Sequence, residues 1–80
     1  MKLYKVSQTL NNGYDTYDSM VVCAESEADA RTIHPDGEDA ENDYNSWVRF
    51  DKIDKLEVTE IGEAGPSVPR GVVVASFNAG

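Results

Sequence analysis

Two stretches near the N-terminus, Lys2 to Leu10 and Tyr17 to Ala24, are rich in β-branched and aromatic residues and predict strands. Between them lies Asn11-Asn12-Gly13-Tyr14, and Asn-Gly is a strong hairpin signal because both residues tolerate positive φ. A tight turn at Asn12-Gly13 would set Tyr4 opposite Val21 and Gln8 opposite Tyr17. In that register Leu3, Met20 and Val22 share one face, and Tyr4, Val6, Tyr17 and Val21 share the other. A half-solvated sheet alternates more cleanly than this. Either the turn is longer, or the second face is covered by a loop or another subunit.

The segment Glu25 to Pro35 reads as a short helix, with Ser26 as N-cap and Asp29 in the position of a capping-box acid. Ala30 and Ile33, with Ala28 or the Thr32 methyl, supply the stripe that lies on the sheet. Pro35 is a natural stop, and an imidazolium at His34 would suit the helix C-terminus. Trp47-Val48-Arg49-Phe50 resumes apolar character, and Asp51 caps a single turn through Asp54. Lys55 to Ile61 is a third strand, with Leu56 and Val58 on one face and Ile61 on the other. After a loop rich in glycine and proline, Val72 to Phe77 forms the last strand, whose unbroken apolar run predicts a central strand buried on both faces. The fold class is α+β: a four-stranded antiparallel sheet, made of a β-hairpin, a helix and two further strands, with the helix packed on one face. No linker divides the chain, so residues 1–80 read as a single small domain.

Composition narrows the functions. The chain has 80 residues, with 15 acidic and 7 basic side chains and a net charge of -8, which disfavours direct binding to nucleic acid phosphates. One cysteine and one histidine leave no intramolecular disulfide and no zinc ligand set. Neither an export signal nor a membrane span is read, which makes the cytoplasm the expected compartment. Cys23 lies in the apolar run Met20 to Ala24 and reads as a packed residue, with Glu25 and Glu27 and no cation beside it in sequence. The charge is uneven: eight of the fifteen acids fall between Glu25 and Asp43, and five of them between Asp36 and Asp43. That last run does not match an EF-hand loop. It reads as a solvated loop or as a mimic of a nucleic acid backbone.

No nucleophile-elbow, Walker or dinucleotide-binding pattern is present, and Asp15 and Asp18, three apart on a strand, do not pair for acid-base work. No catalytic residue, metal ligand or cofactor is therefore expected. What remains suits small-ligand binding: Tyr14, Tyr17 and Trp47 as stacking rings, Arg49 and Arg70 as anion forks, Ser76 and Asn78 as readers of polar edges, with Tyr44 a further ring. Trp47 reads equally as a lid on a small core, and Arg70 as an exposed loop residue. An anion pocket in so acidic a chain must draw on Arg31, Arg49, Arg70 and the four lysines.

The run Asn12 to Ser19, Val21-Val22, Ala30-Arg31, His34-Pro35, Ile61-Gly62-Glu63-Ala64, Gly71-Val72-Val73 and Ala75 to Gly80 together resemble small uncharacterised proteins of phages and prophages. The resemblance implies a genomic setting, often that of counter-defence factors acting in the host cytoplasm, and no site residue. Two functions follow as expectations. The first is a non-catalytic sponge, built as a homo-oligomer, that binds a small nucleotide-like immune signal. The second is an acidic inhibitor, resembling anti-CRISPR proteins or a nucleic acid mimic, that blocks a host defence protein by protein–protein contact.

Overall fold

Tyr4 lies opposite Val22 and Val6 opposite Met20, and this register organises the molecule. The computed structural model describes residues 1–36 and 46–78, without the side chain of Phe50. Strands β1 (Lys2–Ser7), β2 (Thr16–Ala24), β3 (Glu57–Glu63) and β4 (Gly71–Asn78) form one antiparallel sheet in the order β3-β1-β2-β4. Helix α1 (Glu27–Arg31) follows β2, and a 3-10 helix (Phe50–Lys55) precedes β3. The fold is α+β, with four antiparallel strands and one short helix.

The β1–β2 register is one residue away from that of a tight Asn12-Gly13 turn, and in a strand one residue exchanges the faces. Tyr4 and Val6 therefore share a face with Met20, Val22 and Ala24 instead of opposing them. The connection is a longer loop, in which Asp15 adopts φ 60° and β1 ends at Ser7. A bulge at Asp18, where Tyr17 faces Phe77 but Ser19 faces Ser76, turns Tyr17 onto the same side as Met20.

That side carries the core. Tyr4, Val6, Met20, Val22 and Ala24 pack under Ala30, Ile33, Trp47, Val48 and Leu56, all buried. Ser26 caps α1 by accepting from the Asp29 N–H at 3.1 Å. The helix ends at Arg31, short of the expected stop at Pro35, and Ile33, His34 and Pro35 are buried in extended or turn conformation. His34 Nδ1 accepts from the Asp36 backbone N–H at 3.0 Å.

The opposite side of the sheet is largely open. Lys5, Thr59, Val74 and Ser76 are exposed there, while Cys23 is covered by Met1 (Sγ–Sδ 3.9 Å) and the Val68 carbonyl (3.7 Å). β4 is an edge strand and not the expected central one. Its apolar run has two local causes: Val73 is the extra residue of a second bulge, and Val74 points to the open face.

Candidate functional site

Gln8 braces, from behind, the segment that forms one wall of a surface cavity. Its side chain is buried, and its Nε2 donates to the carbonyls of Asn11 and Tyr17, each at 2.8 Å. Its Oε1 accepts from the Asn11 N–H at 2.7 Å. The amide thus supplies the partners that strand pairing would have given, and it holds Leu10 and Asn11 against the segment after residue 45. Asn11 Nδ2 donates to the Trp47 carbonyl at 2.9 Å, and the Tyr17 N–H donates to the Ser46 carbonyl at 2.8 Å.

The 3-10 helix builds the other wall. From Arg49 the chain reads Arg-Phe-Asp, Lys-Ile-Asp, Lys-Leu-Glu: a cation, an apolar residue and an acid, three times over. At three residues per turn, each residue type falls on its own stripe, and positions three apart eclipse. Leu56 is buried and Ile53 half-buried on the apolar stripe, while Arg49, Lys52 and Lys55 are exposed in a row with a rise of roughly 6 Å per turn. Arg31 fixes the far end of this helix. Its Nη1 donates to the carbonyls of Ile53 (3.0 Å), Asp54 (3.4 Å) and Leu56 (2.7 Å), and its Nη2 reaches Glu27 at 3.3 Å.

Between these walls lies a cavity of about 520 Å³, lined by Leu10, Asn11, Trp47, Val48, Arg49, Lys52 and Lys55. Three of the chain's seven cations converge on it, over a floor of Trp47, Val48 and Leu10. Lys52 and Lys55 have no carboxylate within ion-pair distance among the described residues, whereas Arg49 Nε lies 3.3 Å from Asp51 Oδ1. Trp47 is fully buried, so it forms the floor and offers no exposed ring face; its Nε1 has no hydrogen-bond partner among the described residues. Chemically the cavity suits an anionic group on the cation row and an apolar or aromatic body below it.

Of the seven expected ligand residues, the cavity takes Trp47 and Arg49. Tyr14 is 79% exposed in the β1–β2 loop. Tyr17 donates its hydroxyl to Asp36 Oδ1 at 2.6 Å and meets the Phe77 ring edge-on at 4.8 Å between centroids. The hydrogen bond to Asp36, with partial burial and the Asp36 charge, raises its pKa above the ordinary phenol value. Arg70 clamps α1, with Nε 2.9 Å from Asp29 Oδ2 and Nη2 2.7 Å from Oδ1. That clamp holds the Asp29 carboxyl below the ordinary range, with burial opposing and the Glu25 N–H assisting. Ser76 and Asn78 lie exposed on β4, away from the cavity. Beyond Asp36, the acidic run to Asp43 lies outside the described residues, as does Tyr44.

Lys52 and Lys55 were not among the expected residues. The signal for them is the three-residue repeat, which a search at helix and strand periods passes over. Among the described residues there is no His, Cys, Asp and Glu cluster able to hold a metal, and no helix long and apolar enough to cross a membrane. No protein-family model, curated protein or solved structure matches the chain.

Proposed function

We propose that the protein is a non-catalytic binder that sequesters a small anionic ligand with a ring or apolar body, of the nucleotide-derived class. The row of Arg49, Lys52 and Lys55 over an apolar floor, in a chain of net charge -8, carries this reading. The anion would replace Asp51 at Arg49 and meet both lysines, while the ring would lie against Leu10 and Val48. In the phage setting that the resemblance implies, sequestration in the host cytoplasm would deplete a nucleotide immune signal.

Titration calorimetry and native mass spectrometry against cyclic dinucleotides, cyclic trinucleotides and ADP-ribose, with pyrophosphate as control, test the reading. The expected result is a ring-bearing ligand bound with micromolar or tighter affinity, one per chain, and lost in Lys52→Ala/Lys55→Ala. Absence of any retained ligand across that panel overturns it. The competing function, an acidic inhibitor of a host effector, rests on the run from Asp36 to Asp43. It predicts that Glu38→Lys, Asp39→Lys and Glu41→Lys together abolish inhibition, a change that leaves ligand sequestration in place.

A further inference from the structure

The two edges of the sheet differ in charge. β3 presents Glu57, Glu60 and Glu63 within seven residues, whereas nothing from Gly71 to Asn78 on β4 is charged. Edge strands are ordinarily protected by charge, proline or bulges. The bulge at Val73 protects only the first part of β4; from Val74 to Asn78 each residue has its partner, the remaining bulge, at Asp18, lying on β2.

Hydrogen bonding shows which groups of that stretch face outward. The Asn78 carbonyl accepts from the Asp15 N–H at 2.7 Å, on the β2 side. Tyr17, opposite Phe77, spends its own N–H and C=O on Ser46 and Gln8, on the β1 side. Alternate residues of a strand aim their backbone groups to alternate sides. Ser76 and Val74 therefore bond inward, and the N–H and C=O of Ala75 and Phe77 point away from the sheet.

We infer that β4 pairs antiparallel with β4 of a second copy about a twofold axis at Ser76, giving a continuous eight-stranded sheet. With Ser76 opposite its symmetry mate, Ala75 and Phe77 of the two chains form hydrogen-bonded pairs and satisfy all four outward donors. Phe77, 48% exposed in the single chain, then lies beside Ala75 of the second copy. Charge selects the same partner. Two chains of -8 repel over most of their surfaces, and β4 is the one strand edge they can share without opposing acids.

Ser76 occupies a non-hydrogen-bonded pair, whose Cα atoms approach to about 4.5 Å, close enough for a disulfide. Sedimentation of the wild-type chain at tens to hundreds of micromolar should show a species of twice 8.8 kDa. Ser76→Lys, which sets like charges face to face on an exposed position, should weaken it about tenfold or more. Ser76→Cys should form an intermolecular disulfide under mild oxidation, while Thr59→Cys on the β3 edge, also exposed, should not. Circular dichroism of each variant verifies that the monomer is folded. A wild-type chain that remains monomeric, a dimer indifferent to Ser76→Lys, or equal cross-linking of the two cysteine variants overturns the inference.

Discussion

The Arg31 guanidinium donates to the Leu56 carbonyl over 2.7 Å, joining α1 to the end of the 3-10 helix 25 residues later in the chain. The same nitrogen reaches the carbonyls of Ile53, which also accepts from the Leu56 N–H, and of Asp54, so one side chain gathers the carbonyls at the C-terminal end of this short helix. Its positive charge also suits that end of the helix dipole. Arg31→Ala should lower unfolding free energy by about 2 kcal/mol, the range for lost charge-assisted hydrogen bonds, read as a lower urea midpoint. Because Arg31 lines no part of the cavity, any accompanying loss of ligand affinity reports on misplacement of Lys52 and Lys55.

Removing the lysines themselves should have the opposite profile. Lys52→Ala and Lys55→Ala are exposed changes, expected to alter stability by no more than about 0.5 kcal/mol. Each should weaken anion binding about tenfold. Asp51→Asn should tighten binding, since Asp51 pairs with Arg49 beside the cavity. Calorimetry at two salt concentrations checks both, with affinity falling as salt rises.

The Gln8 amide should be among the least replaceable polar groups. Gln8→Ala deletes three hydrogen bonds to part-buried backbone groups of Asn11 and Tyr17. A loss of about 2–4 kcal/mol is expected. Hydrogen exchange should speed up at Asn11, whose N–H that amide accepts.

Two groups make stability depend on pH, at opposite ends of the scale. The carboxyl of Asp29, held below its ordinary range by Arg70, contributes stability above the unfolded value of about 3.9. That contribution disappears as pH falls through the lower folded value. Arg70→Ala should therefore flatten the acid limb of a plot of urea midpoint against pH. The Tyr17 hydroxyl, raised by its bond to Asp36, contributes stability below about pH 10. It is lost as pH rises through the higher folded value. Tyr17→Phe should flatten the alkaline limb and leave the acid limb unchanged.

The α1 cap was legible from Ser26 and Asp29, because a capping motif is a local contract between neighbours. So was the α+β class. The hairpin register was harder. Asn12-Gly13 is a strong local signal, but the burial of Tyr4, Val6, Met20 and Val22 on one face outweighs it, and Gln8 makes the longer loop affordable. Val72-Val73-Val74 misled for another reason: the apolar run passes through a bulge at Val73 and onto the open face at Val74, so it does not mark a strand buried on both sides. The cation row at Arg49, Lys52 and Lys55 was written in the sequence at a period of three, which belongs to neither α-helix nor strand. Arg70 and Tyr17, chosen as ligand groups, hold the fold together through Asp29 and Asp36, contacts between residues far apart in sequence.

The acidic β3 edge has a consequence for how far association can go. A chain with two neutral edges could add subunits at both ends and polymerise into a fibre. Here the strand bearing Glu57, Glu60 and Glu63 ends the sheet, with Lys2 bridging Glu60 and Glu63, so a pair joined through β4 would carry a net acidic strand at each margin. Association through β4 alone would then stop at two.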